Sequence, residues 1–362
     1  MTAGASSRPT DLRPPRGAAD LDATWLTAAL AHVSGGAQVA DVDATRIGNG
    51  MVADSIRLAV TWDRPTDAPT RYVAKVPAAS DTSRDAAAAT RTYLVEAAFY
   101  NDLADTLEVH RPPCYAALHD PVTNDYVVLL GDLAPAEPGD QIAGCTVAEA
   151  EQVMPELAAL HGPRWGDPTL FDLEWISRPS AESNEQLTML IGMLAPGFFE
   201  RYEKRLEPGV ADLTRRFLAR IGDYMSGRPP AVTVVHGDFR LDNLLFGGER
   251  VAVLDWQTVS LGSGLSDVPY FLGSALQVED RREHEERLVR LYHEELLRRG
   301  GDVSWDDCWR AYRRDGYSGL LMAVLASMLV GRTDRGDDMF MAMANRHGQQ
   351  IIDLDGESLL GA

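Results

Sequence analysis

The chain has 362 residues, 45% of them hydrophobic and 24% charged, and a formal net charge of −20. That length suits one large two-part unit or two domains with a substantial core, and the composition excludes a disordered, collagen-like or fibrous chain. The acidic excess opposes attraction to phosphate backbones and anionic lipid headgroups, so neither a nucleic-acid nor a membrane partner is expected. Cys114, Cys145 and Cys308 are odd in number, far apart and form no C-x-x-C pair, which argues against a disulfide framework or a structural zinc site and for a reducing, cytoplasmic setting. Met1 to Arg16 lacks the apolar core of a secretory signal, and the apolar stretch Leu320 to Val330 is too short to span a bilayer.

In chain order, residues 1–19 are rich in Pro, Gly, Ala and Ser and read as a flexible leader. Trp25, Leu26, Ala29, Leu30 and Val33 recur at helical spacing. After Arg46-Ile-Gly-Asn-Gly-Met-Val-Ala53, the residues Ile56, Leu58, Val60 and Trp62 alternate with Ser55, Arg57, Ala59 and Thr61, the period of a strand. Arg71 to Val76 is a further strand, on which Val73 and Lys75 must share a face. An Ala-rich segment from Arg84 to Leu107 places Val95, Phe99, Leu103 and Leu107 on one helical stripe, flanked by Glu96. Short strands around Ala116–Leu118 and Tyr126–Leu130 follow, so the first third reads three strands, a helix and two strands.

From about Gly131 the pattern becomes helical. Thr146 and Glu149 form a capping box before a helix that ends near His161. Leu213, Phe217, Ile221 and Met225 mark another helix, and Asp280–Arg299 and Asp306–Val330 supply more. Between them lies a small β island: Val232–Val235, then Leu244–Phe246, a Gly247-Gly248 turn and Val251–Leu254.

The chemistry is concentrated in His236-Gly-Asp-Phe-Arg-Leu-Asp-Asn243, followed by Val253-Leu-Asp-Trp256. Carboxylates at Asp238 and Asp255 with the amide of Asn243 suit the holding of Mg²⁺ and the alignment of a hydroxyl. The spacing H-x-D-x-x-x-x-N is that of the kinase catalytic loop, where Asp takes the substrate proton and Asn and a later Asp hold Mg²⁺. Phosphoryl transfer needs positioning and charge neutralisation more than covalent chemistry.

HGDFRLDNLLF and VLDWQ resemble the aminoglycoside phosphotransferase and choline kinase group of protein-kinase-like small-molecule kinases, nearest its ecdysteroid-kinase-like branch. The likeness extends to Gly262-Ser-Gly-Leu-Ser-Asp-Val-Pro-Tyr270 and to a hinge at Tyr126–Leu133, where Gly131-Asp132-Leu133 stands in place of the family's frequent Glu-Asp-Leu. It implies an α+β, protein-kinase-like bilobal fold: a β-rich, nucleotide-binding N-lobe over 20–130 and a mainly helical, acceptor-binding C-lobe over 131–362, with ATP in the cleft. It further implies that Gly48-Asn49-Gly50 covers the phosphates, that Lys75 grips them and pairs with Glu96, and that Asp238 is the catalytic base. Asn243 and Asp255 would then be the Mg²⁺ ligands. Arg240 stands where protein kinases often carry a phosphate-neutralising lysine, with a salt bridge to Asp242 as the competing reading.

Gly48-x-Gly50-x-x-Ala53 matches a dinucleotide fingerprint, but that motif requires a helix next and a strand follows. His236 suits a loop-shaping role better than a base, Asp242 a solvated or turn-forming carboxylate, and Asp267 a brace for the catalytic loop better than a third metal ligand. The His-Glu-Glu runs at His284 and His293 lack the second histidine of a zinc motif and read as solvated helix faces, and Met339–Met343 as core. The expected activity is transfer of the ATP γ-phosphate to a hydroxyl of a small-molecule acceptor. An aminoglycoside resistance kinase would differ by activity on kanamycin-like compounds. A nucleotide-binding pseudokinase would have lost Lys75, Asp238, Asn243 or Asp255, and all four are present.

Overall fold

Strand alternation and turn residues in the first third build a five-stranded antiparallel sheet, seen in a computed structural model that describes residues 8–48, 52–226 and 232–360. Its strands are β1 (Val39–Ile47), β2 (Ala53–Trp62), β3 (Arg71–Pro77), β4 (Cys114–His119) and β5 (Tyr126–Gly131), in the order β1-β2-β3-β5-β4. Tyr72, Ala74 and Val76 point to one face and pack with Ile56, Leu58, Val127 and Leu129 under helix α1 (Ala23–Ala29), which contributes Leu26. Register pairs Lys75 with Val128 and Ser55, and the two-residue period sends Lys75 to the opposite face. α1 is shorter than the apolar spacing suggests. β1 carries no readable alternation because all but Val39 of its side chains stay partly or fully exposed.

The Ala-rich segment is not one helix. It divides into α2 (Asp81–Ala89) and α3 (Thr92–Ala98) at Arg91, whose φ of 57° lies in the left-handed region. The Thr90 hydroxyl bonds back to the carbonyl of Ala86 just before the break, a habit that competes with helix propagation. Beyond α3 the chain widens into a π-helical turn, Phe99–Leu103. Nor is the leader free from Arg8 onward: Leu12 packs on the sheet core, Arg8 donates to the carbonyl of Cys114, and the Trp25 indole donates to the carbonyl of Arg13.

This first unit takes in the described residues up to Asp105, then Arg111–Pro135 and, from far along the chain, Asp255–Thr258. The second takes in Thr106–His110, Ala136–Leu254 and the chain from Val259. The hinge residues 131–135 and the segment 255–258 thus group with the sheet, and Thr106–His110 with the second unit.

The second unit contains strand β6 (Glu137–Pro138) and helices α4 (Val147–His161), α5 (Ala181–Tyr202), α6 (Val210–Ala219) and α7 (Ile221–Ser226). Strands β7 (Thr233–Val235), β8 (Leu244–Phe246), β9 (Ala252–Val253) and β10 (Ser260–Gly262) follow, then helices α8 (Asp267–Ala275) and α9 (Val278–Arg298). The chain closes with α10 (Trp305–Asp315), α11 (Tyr317–Leu329) and α12 (Asp334–Asp353). The Thr146–Glu149 capping box starts α4 as expected. β8 and β9 form the expected hairpin, whereas β7 pairs with β10. Two helices read as continuous are broken, at Arg220 and at Gly316.

α5 and α12 have no clear periodicity in sequence, for opposite reasons. α5 is uncharged from Leu187 to Phe199, yet Met189 and Met193 are exposed. α12 buries Arg346, His347 and Gln350 beside Met339, Met341 and Met343, so its inward face is chemically mixed. The exposed-face reading of His293 is also corrected, since its ring bonds to the carbonyl of Val303 and packs on Trp305.

His347 is the centre of the α8–α11–α12 packing. Burial pushes its imidazole down to about 3, so the ring is neutral. A β-carbon on Gly319 of α11 would lie 1.9 Å from its Nε2, and one on Gly273 of α8 would lie 2.5 Å from its Nδ1. Gly319→Ala should therefore destabilise the protein by about 1–3 kcal/mol through overpacking, despite the ~1 kcal/mol that Ala gains over Gly in a helix. Chemical denaturation checks this, and unchanged stability would contradict it.

Candidate active site

In the first unit, the Lys75 side chain leaves β3 on the face covered by α3 and meets Glu96. Its Nζ donates to Glu96 Oε1 at 2.6 Å and to Asp255 Oδ1 at 2.9 Å. Burial works against the ammonium charge, but the Asp255 and Glu96 carboxylates outweigh it and raise the lysine's pKa. Burial pushes the Glu96 carboxyl up against the pull of Lys75. Glu96 also accepts the backbone N–H of Trp256, whose ring stacks on Phe99 at 4.1 Å. Asp255 is thus held from both sides, by its own ion pair and by the anchoring of the next residue, in a backbone conformation with φ of 65° that non-glycine residues seldom adopt.

The glycine turn is partly described. β1 and β2 pair up to Ile47 and Ser55, Arg46 and Asp54 form an ion pair at 2.6 Å, and Gly48 takes a φ of 69°; Asn49 and Gly50 lie outside the described residues. The Tyr93 hydroxyl of α3 donates to the carbonyl of Val52, tying the end of the turn to the helix that carries Glu96.

In the second unit, the loop after β7 is shaped by His236 and Asp267. The His236 Nε2–H donates to the carbonyl of Leu254 at 2.9 Å, leaving Nδ1 to accept the amide of Asp238 at 3.2 Å. Asp267, at the start of α8, accepts the amides of His236 and Gly237 at 2.7 and 3.1 Å, and His161 approaches it at 3.3 Å. Burial resists its charge, yet the His161 bond, the nearby imidazoles and the His236 amide hold its carboxyl below the ordinary range. Both residues shape the loop.

Asp238 sits at the centre of a set of donors. Arg240 Nε reaches its two oxygens at 3.1 and 3.0 Å, Asn243 Nδ2 reaches Oδ2 at 3.1 Å, and the Tyr270 hydroxyl reaches Oδ1 at 2.7 Å. Arg240 also pairs with Asp242 and meets Met339 Sδ at 3.3 Å. Burial lowers the guanidinium pKa, but the charges of Asp238 and Asp242 raise it by more. Asp242 is half-buried and ion-paired rather than solvated, and it accepts the amide of Gln141. The Gln141 side chain in turn accepts the amide of Leu241 at 2.8 Å and donates to the carbonyl of Ser274.

Three side chains with roles here carry no role in the sequence reading. His161 and Gln141 lie in segments far from the loop with no motif of their own. Tyr270 is within a quoted segment, but only α8 geometry shows where its hydroxyl goes.

The donor chemistry fits Mg²⁺, a hard ion that takes oxygen ligands. Asn243 spends its Nδ2 on Asp238, which leaves its amide oxygen for a metal, and in the first unit Asp255 separately presents a carboxylate beside Lys75. Among the described residues no group of three or more His, Cys, Asp or Glu side chains forms a cage of its own.

Comparison with known proteins matches the family model described as phosphotransferase enzyme family to residues 53–304. A Ralstonia eutropha protein assigned as an aminoglycoside phosphotransferase superposes with a TM-score of 0.54 at 17% identity, over 91% of this chain and 97% of that one. Choline kinase from Cryptosporidium parvum superposes with a TM-score of 0.55 at 10% identity, over 88% and 92%. In sequence, 46 residues are 52% identical to mouse (Mus musculus) acyl-CoA dehydrogenase family member 10, a match covering 12% of this chain and only 4% of that protein. With an α+β, protein-kinase-like fold and a family match spanning both units, the chain belongs to the phosphotransferase enzyme family.

Proposed function

We propose that the protein transfers the γ-phosphate of ATP to a hydroxyl of a small molecule. The observation that carries this reading is the ion pair between Lys75 and Asp255, residues 180 positions apart, with Glu96 completing the lysine's partners. A pseudokinase has no need to keep that triad together with Asp238 and Asn243.

In this reading Lys75, held charged by two carboxylates, binds the α/β-phosphates, and Gly48–Gly50 covers them. Asn243 and Asp255 hold Mg²⁺, which neutralises phosphate charge when bound. Asp238 aligns the acceptor hydroxyl and takes its proton as the oxygen attacks the γ-phosphorus; the bond to the bridging oxygen breaks and ADP departs. Arg240, already among carboxylates, is placed by its charge to meet the transferred phosphate. The acceptor is seated by helices of the second unit, and the three free cysteines favour a reducing, cytoplasmic setting. No helix among the described residues is long and apolar enough to cross a membrane.

A nucleotide-consumption screen against a panel of alcohols, aminoglycosides included, tests the reading; silence across a broad panel would count against it. On the acceptor found, Asp238→Ala should lower turnover by roughly 10²–10⁴ with MgATP binding retained. Asp255→Ala should instead weaken nucleotide binding in a Mg²⁺-dependent way. Calorimetric titration beside turnover separates the two, and wild-type behaviour of both variants would refute the assignment.

Only a short segment links Asp255 to α8, and Leu265 and Val268–Leu276 are buried, leaving no peptide platform of the protein-kinase kind. Activity should therefore need no prior phosphorylation: enzyme treated with phosphatase and a Thr258→Ala/Ser260→Ala variant should both turn over at the untreated rate. A requirement for phosphate on either residue would contradict this.

A further inference from the structure

Of the three side chains that donate to Asp238, two have rival business. Arg240 is shared with Asp242 and, on the proposed reading, meets the transferred phosphate, while the Asn243 amide oxygen is the group that reading reserves for Mg²⁺. Tyr270 differs on both counts. It is neutral, its side chain is 3% exposed, and its hydroxyl bonds to Asp238 Oδ1 at 2.7 Å. An anionic nucleotide offers a buried neutral hydroxyl no better partner than the carboxylate it already holds.

The placement follows from helix geometry. Asp267 and Tyr270 are three residues apart on α8 and so lie on one face. Asp267 takes the backbone amides of His236 and Gly237, and one turn later Tyr270 takes the side chain of Asp238. One turn of helix thus fixes both the path of the loop and the direction of its carboxylate. The Tyr270 ring is itself seated against His347, 5.8 Å between centroids, and His347 is locked by Gly319 and Gly273.

We propose that Tyr270 is a positioning residue for the phosphoryl transfer, holding the Asp238 carboxylate in its working rotamer through the Oδ1 bond. The proposal rests on the reading of Asp238 as the base, and it makes Tyr270 act through Asp238 alone.

The test compares Tyr270→Phe, Asp238→Asn and the double variant; phenylalanine keeps the ring against His347 and removes one oxygen. Turnover on the acceptor found in the alcohol panel, MgATP affinity and a crystal structure of Tyr270→Phe are measured. Tyr270→Phe should lower kcat about tenfold, equivalent to about 1.4 kcal/mol, with MgATP affinity and acceptor KM unchanged. In the Asp238→Asn background it should change kcat less than twofold, and in the crystal Asp238 should leave its wild-type rotamer. A wild-type kcat in Tyr270→Phe, an equal loss in both backgrounds, or an unmoved Asp238 would overturn the proposal. If no acceptor is turned over, the functional reading fails by itself, and the rotamer of Asp238 in the variant crystal still decides this one.

Discussion

A buried carboxylate at Asp267 sets the shape of the loop after β7. Two backbone amides of the loop, from His236 and Gly237, end on its oxygens, and His161 stands beside it from α4. A carboxylate buried this deeply is costly unless its lone pairs are met by donors. The loop supplies those donors, so the loop conformation and the charge stabilise each other. His236 extends the arrangement in two directions, binding the carbonyl of Leu254 through one nitrogen and the amide of Asp238 through the other. Leu254 is the residue before Asp255, so a single imidazole links the backbone of the proposed base to the chain that leads to the proposed metal ligand.

The charge pattern has the same logic in both units. In the first unit Lys75 lies between two carboxylates, and in the second Arg240 does likewise. Each cation is restrained without being neutralised by a perfect single partner. On the proposed reading, phosphate oxygens would exchange partners with groups already restrained, and positioning of this kind is the main protein contribution to phosphoryl transfer.

Much of this was legible in sequence because motif residues sit on elements with strong local signals. Alternation in Arg71–Val76 placed Lys75 on a strand face, and the H-x-D-x-x-x-x-N spacing put Asp238 and Asn243 on one tight loop. The illegible parts depend on contacts distant in sequence. Gln141 lies in an irregular segment and reaches Leu241 only through the fold, and the break at Arg91 follows from local backbone competition inside an alanine run. α12 hid because its apolar residues share the buried face with His347, Gln350 and Arg346, the last donating to the carbonyls of Gln141, Ile142 and Ser274, contacts that only the fold supplies. Asp242 was legible in part: its salt bridge with Arg240 was one of the two readings of that arginine, whereas the amide of Gln141 and the guanidinium of Arg335 come to it only through the fold.

In the proposed reaction a phosphate leaves ATP for an alcohol rather than for water. ³¹P NMR of the enzyme with MgATP and each alcohol of a diverse panel measures this directly. The account predicts, for at least one acceptor, a new phosphomonoester resonance growing in step with ADP, absent with Asp238→Ala. ADP formed only with inorganic phosphate, or an ATP spectrum unchanged across the panel, would contradict it.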